Sequence, residues 1–135
     1  MPKLLDLDQL RAVAAALPDP VFILTESGLY ASMFGGTDAR YYHDGSALIG
    51  KYLHEVLSPE RTQWFIEKIH EALHTKQMVL VEYALSNKDV LGLPDVGPSE
   101  PIWFEGRVSA LGIRFNDEAA VAWVATNISA RKAME

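Results

Sequence analysis

Histidines, carboxylates and serines are the groups on which this sequence could build chemistry. His70 and His74 fall on a stretch that reads as a long helix. A helical wheel sets His70 about 100° from the centre of the apolar stripe and His74 further round. That places His74 in solvent and His70 at the stripe's edge, a surface position rather than a ligating one. His43 and His54 have no carboxylate or second histidine at ligand spacing, so no metal site is indicated. Glu82, Glu105 and Arg107 fall inside strand-like runs. Alternation puts Glu105 and Arg107 on one face with Trp103 and Ser109, and Glu82 can reach Arg107 if the third and fourth strands are neighbours. These groups read either as a polar anchor for a ligand or as an ion pair on a half-exposed sheet face, worth well under ~1 kcal/mol; the second is the preferred reading. Ser27, Ser46 and Ser58 sit in turn or cap contexts without the Gly-x-Ser-x-Gly elbow, and Gly35-Gly36 alone is not a phosphate loop. The chain has no cysteine, which excludes a disulfide framework, thiolate zinc, a thiol nucleophile and any cysteinyl–cofactor adduct. A noncovalent flavin could stack on Trp103 or Trp123, but tryptophans in strands more often serve core or interface. No catalytic constellation emerges.

The elements that must position these groups follow from pattern. Residues 6–17 read as an amphipathic helix, capped by Asp6 with Gln9 as its capping-box partner. Leu10, Val13, Ala14 and Leu17 form its stripe, and Pro18 and Pro20 end it. Val21–Thr25 and Leu29–Phe34 read as a hairpin about Glu26-Ser27-Gly28. After an irregular stretch, Ser46–Leu57 predicts a short helical piece. Ser58 caps a longer helix, with Pro59 at its first position, that runs to about Thr75 and buries Phe65, Ile66, Ile69, Ala72 and Leu73. Met78–Leu85, Ile102–Leu111 and Ala119–Thr126 are strands. Between the first two, the Gly- and Pro-rich residues 86–101 form a long loop expected to be mobile, and Asn116-Asp117 turns the last hairpin. This order predicts an α+β fold: a five-stranded antiparallel sheet, helices packed on one face, and a flanking N-terminal helix. A cavity between helices and sheet is the natural ligand site.

Bulk properties narrow the function. The length of 135 residues suits one domain. A net charge of -6 provides no basic stripe for nucleic acid. No apolar run approaches the ~20 residues of a membrane span, and Ala12–Leu17 is too short, with flanks too acidic, for a signal peptide. A cytoplasmic domain, without membrane or nucleic-acid contact, is the expectation.

Four stretches in order resemble the PAS domain, the sensory module of bacterial signalling proteins. "LPDPVFILTESGLY" (17–30) is similar to the family's opening hairpin and "LIGKYLHEVLSPE" (48–60) to the stretch before its long helix. "WFEGRVSAL" (103–111) is similar to the fourth strand and "VAWVATNISARK" (121–132) to the last strand and its exit. The resemblance spans roughly residues 10–132. It divides the chain into a flanking helix (1–17), a PAS-like core (18–128) and the start of an exit helix or linker to a downstream domain (129–135). Members usually end on Asp-Ile-Thr; here Asn127-Ile128-Ser129 stands there, so an Asp-based salt bridge is in doubt, although Asn can cap or hold the turn. The pocket-bordering segment also departs: Phe34-Gly35-Gly36, then Tyr41-Tyr42-His43, replaces the common Asn-Xaa-Ala. The 86–101 loop, with "RYYHDG" and "WFEGRV", fits the members that precede diguanylate cyclase or histidine kinase domains.

The resemblance implies a regulatory, non-enzymatic input domain that binds a small molecule, dimerises, or both. It passes the change through the last strand to the exit, with Asn127, Ile128, Ser129 and Arg131 as the exit residues. Heme-binding members carry their iron ligand on the helix of His70 and His74, but His70's edge position argues against heme; flavin is disfavoured too, and the cofactor stays unassigned. A pocket would be lined by Phe34, Tyr42, Leu53, Phe65, Ile69 and Trp123. The N-terminal helix would pack across a partner's sheet in a homodimer or on its own sheet. Two alternatives stay open: a ligand-free dimerisation module, and a small cone-shaped α+β enzyme, which would need a carboxylate such as Glu82 or Glu105 inside a cavity.

Overall fold

The first helix is set by its cap. The Asp6 carboxylate accepts from the Gln9 N–H at 2.8 Å, and the Gln9 side chain accepts from the Asp6 N–H at 3.0 Å. This capping box starts α1 (Leu7–Ala16). The computed structural model describes residues 4–37, 46–86, 89–90 and 100–135. Within them follow β1 (Pro20–Thr25), β2 (Tyr30–Gly35), a 3-10 turn (Ser46–Leu48), α2 (Leu53–Val56) and α3 (Pro59–Thr75). The chain closes with β3 (Val79–Leu85), β4 (Ile102–Phe115), β5 (Glu118–Asn127) and α4 (Ser129–Ala133). Tyr42 and His43, and most of the 86–101 loop, lie outside the described residues.

The five strands form one sheet in the order β2-β1-β5-β4-β3, every neighbouring pair antiparallel. The last strand is therefore the central one. α3 has the expected bounds: Ser58 Oγ accepts from the Arg61 N–H at 3.3 Å, and Pro59 opens the first turn. It ends where Lys76 turns left-handed at φ 57° and donates its N–H to Ala72 O at 2.9 Å. β4 is longer than the sequence predicts. Arg114 pairs with Ala119 and Phe115 with Glu118, so the ribbon runs on to a two-residue turn at Asn116 (φ 53°) and Asp117 (φ 61°). Left-handed Asn-Asp is the chemistry such a tight hairpin needs. The single helical piece expected over 46–57 is interrupted: Gly50 sits at φ 89°, Tyr30 donates its N–H to Lys51 O at 2.9 Å, and Leu29 bridges Tyr52. Pairing with the start of β2 wins over local helix preference there.

α2 and α3 cover one face of the sheet. Leu53 and Val56 of α2 and Phe65, Ile69 and Ala72 of α3 close on Leu24, Val108, Val121 and Trp123 from the strands. α1 covers nothing: it has no buried residue, and Leu7, Leu10 and Val13 stay 61, 53 and 51% exposed. It is held beside β2, where Leu17 O accepts from the Gly36 N–H at 2.9 Å. Within the chain it touches the sheet at the edge strand β2 without burying its stripe.

Candidate functional site

Leu53, Phe65, Ile69 and Trp123 meet in one buried cluster between α2, α3 and the sheet. Trp123, 1% exposed, is its hub. Its ring centroid lies 4.9 Å from that of Phe65, 5.9 Å from Tyr83 and 6.4 Å from Trp64. Phe104 stacks on Tyr83 at 5.5 Å. The indole N–H donates to the Tyr83 hydroxyl at 3.0 Å, so its one polar atom is satisfied. The indole can lie flat on β4 because residue 106 is glycine: a Cβ there would stand 2.8 Å from Trp123 Nε1 and 3.0 Å from Val81 Cγ2. Leu53, Phe65, Ile69 and Trp123, expected to line one pocket, thus share one cluster. Trp64, Tyr83 and Phe104 were not among the expected lining residues; alternation did carry the signal for Phe104, since a neighbour of outward Trp103 must point inward.

Phe34 does not join them. It pairs with Val21, which pairs with Val124, whereas Trp123 pairs with Phe22. Directly opposed residues share a face, so Phe34 is on the outer face. The cause is a bulge: Ile23 opposes Ser32 but Leu24 opposes Tyr30, leaving Ala31 as an extra residue. The bulge reverses the alternation, so Tyr30 and Met33, not Tyr30 and Phe34, share the inner side. Tyr30 packs edge-on to Phe22 at 5.8 Å, and burial pushes its phenol well above the ordinary range.

The outer face carries a charged cluster at the end of β5. Ile128 donates its N–H to Trp103 O at 2.8 Å, and Ser129 Oγ accepts from the Trp103 N–H at 3.0 Å. The Asn127 side-chain oxygen accepts from the Ser129 N–H at 2.9 Å. Asn127 thus holds the turn with its side-chain amide. One turn on, Arg131 reaches Glu82 at 2.8 Å and Glu105 at 3.5 Å, while Lys132 reaches Glu82 at 2.7 Å. Lys132 Nζ also sits 4.8 Å over the ring of Trp103, which is 39% exposed. The Lys132 hydrogen bond, then the charges of Lys132 and Arg131, hold the Glu82 carboxyl below its usual range, and the bond to Glu82 raises Lys132.

The expected Glu82–Arg107 pair is not formed. β3 and β4 are neighbours, but the register opposes Glu82 to Glu105 and Leu80 to Arg107. Arg107 turns along its own strand to Glu105 at 3.2 Å. Two carboxylates face each other directly, a repulsive arrangement, and the cation between them comes from α4. Both lie on the outer face, away from the aromatic core.

His70 and His74 line an open cleft at the far end of α3, and His70 Nε2 lies 3.1 Å from Glu26 O. Among the described residues no group of three histidine, cysteine or acidic side chains could hold a metal ion, and no helix is long and apolar enough to cross a membrane.

No protein-family model matches the sequence, and no curated protein is similar to it. Solved structures do match. The PAS domain of a protein from Colwellia psychrerythraea superposes with a TM-score of 0.65 at 16% identity, over 93% of this chain and 100% of that one. The PAS domain of nitrogen regulation protein NR(II) from Vibrio parahaemolyticus gives 0.60 at 12% identity, over 92% and 100%. The PAS domain of BvgS from Bordetella pertussis gives 0.53 at 12% identity, over 95% and 90%. At such identities the likeness is one of fold: the chain adopts the PAS fold, strand order included.

Proposed function

We propose that this PAS-fold chain is a sensory input domain of a bacterial signal-transduction protein, one whose output is a histidine kinase or diguanylate cyclase. It binds a small molecule, dimerises, or both, and passes the change along β5 to α4. One observation carries the reading. The central strand of the sheet runs, with a single intervening residue, into a helix that is tied back to the sheet by charges. A displacement of β5 relative to β3 and β4 must therefore stretch or break the contacts of Arg131 and Lys132 with Glu82 and Glu105. Two arrangements of α4, tied and released, are the element that a signal can bias, and a ligand shifts their ratio only by its difference in affinity for the two. Asn127, Ile128, Ser129 and Arg131 are the exit residues, with Lys132 added by the geometry.

Likeness to the PAS domains of NR(II) and BvgS, and to that of a two-component sensor histidine kinase, supports this choice of output. The role is regulatory rather than catalytic. Glu82 and Glu105, the carboxylates an enzyme would need in a cavity, are engaged by arginine on the outer face. A second reading, a ligand-free dimerisation module, draws on the ring-filled core and the uncovered stripe of α1.

The test is a graft. Residues 1–135 replace the PAS domain of a histidine kinase, in register at the exit helix, and autophosphorylation is compared with that of Glu82→Gln and Arg131→Gln grafts. Both substitutions are expected to shift activity several-fold in the same direction. Activity unchanged by either would refute transmission through this contact.

A further inference from the structure

Away from the aromatic core, a concavity of the described residues lies at the hairpin end of β5. The cleft encloses 740 Å³ between the last turns of α3 and the β4–β5 ribbon, within the ~300–1,000 Å³ typical of small-molecule sites. One wall is apolar: Leu73 of α3, Ala119 of β5, and Ala110, Leu111 and Ile113 of β4. Ile113 is unusually bare for an isoleucine, 63% exposed. The wall exists because the ribbon is irregular. Ala110 opposes Val121 and Arg114 opposes Ala119, so residues 111–113 have no register partner on β5 and buckle out of the ladder.

The rim is positive in a negative protein. Lys76 and Arg114 supply two full positive charges, His70 and His74 add imidazoles, and Glu26 is the one carboxylate in the lining; the whole chain carries -6. Three other arginines are matched to acids: Arg61 to Asp89, Arg107 to Glu105, Arg131 to Glu82. Arg114 instead donates to the backbone carbonyl of Asp117 and has no carboxylate partner among the described residues. Lys76 has no ion-pair partner among the described residues and is fixed at the rim by its left-handed cap position.

We propose that this cleft binds a small organic anion with an apolar body, of the medium-chain or aromatic carboxylate class, its headgroup on Lys76 and Arg114 and its body against Leu73, Leu111 and Ile113. The site is the input for the sensory reading above, on which this coupling rests. The ligand would join the end of α3 to the hairpin at Ala119, and β5 leads from there to Asn127 and the charged contacts of α4.

The test is amide NMR of the chain titrated with sodium octanoate and with sodium benzoate, with octan-1-ol and octylammonium chloride as uncharged and cationic controls. At least one carboxylate is expected to give saturable shifts centred on residues 70–76 and 110–119. The octan-1-ol and octylammonium shifts should be at least ten-fold weaker. In Lys76→Asn/Arg114→Gln, which keeps a residue suited to the left-handed cap, binding should fall at least ten-fold with the thermal transition retained. Any one of three results overturns the proposal: no saturable shift with either carboxylate, shifts centred on Leu53, Phe65 and Trp123, or equal binding by octan-1-ol or by the double variant. The readout is binding alone, so its failure is distinct from a failure of α4 coupling, which the graft measures.

Discussion

The absent side chain at position 106 does more for this fold than most of the side chains present. Trp123 lies against β4 at a distance that leaves no room for a methyl group, with Val81 closing the other side. Neither neighbour is a flexible chain end that can swing away. Gly106→Ala should therefore cost about 1–3 kcal/mol through overpacking, read as a lower midpoint in urea with a changed Trp123 environment in fluorescence; an unaltered midpoint would mean that the ring is not clamped there. Lys76 makes the opposite case. A lysine in the left-handed region carries a penalty of about 1–2 kcal/mol that glycine avoids, and glycine's extra unfolded-state entropy returns about 0.5–1 of it. Lys76→Gly is thus expected to stabilise the chain by about 0.5–1 kcal/mol in the same assay. Both positions were silent in the sequence. A glycine in a strand and a lysine after a helix acquire meaning only from their neighbours and their φ.

Among the elements, α4 is the one whose placement depends on charge. It has five residues and none of them is buried, far short of what an isolated helix needs to persist in water. Beyond the hydrogen bonds of Ile128 and Ser129 with Trp103, its tie to β3 and β4 is electrostatic, so added salt should loosen it. The pH dependence has a definite sign. Glu82's carboxyl is lowered in the tied state, so its contribution is present above the ordinary carboxylate range and is lost as pH falls through the lowered value. Lys132 is raised, so its contribution is present below the ordinary lysine value and is lost as pH rises through the raised one. Spin labels at Leu80 and Ala133 should report one short distance near neutrality and a second, longer population in acid. Glu82→Gln should show the longer population already at neutral pH. A distance distribution indifferent to both would mean that something other than charge positions α4.

For the molecule as a whole, α1 raises the matter of assembly. Ten residues with a capping box and an uncovered Leu-and-Val stripe make a marginal helix on their own, and such a stripe is the kind of apolar surface that marks a contact. A second copy of the chain, seated against the stripes of Leu7, Leu10 and Val13, is the partner the proposed function calls for. Sedimentation is expected to show a concentration-dependent dimer, and Leu10→Glu/Val13→Glu should run as a monomer with less helical signal. A parent chain that stays monomeric at the highest accessible concentration would remove the dimer from the proposal.

What the sequence determined by itself was everything governed by local chemistry. Asp6 with Gln9, Ser58 with Pro59, and Asn116-Asp117 fix where elements start and turn, because a cap or a left-handed turn is decided by a few adjacent residues. Periodicity then assigned Phe65, Ile69 and Trp123 to the interior, and the order of elements was enough to anticipate an antiparallel α+β sheet. Tertiary structure alone decided what depends on register and on distant partners. One extra residue, Ala31, turned Phe34 outward; a two-residue offset gave Glu82 to α4 instead of to Arg107; and an unmatched stretch of β4 opened a cleft at residues where the sequence shows only a glycine among apolar neighbours. Register is set by the summed pairing of whole strands, so a single bulge reassigns every side chain beyond it, and alternation read along one strand sees only one side of that pairing.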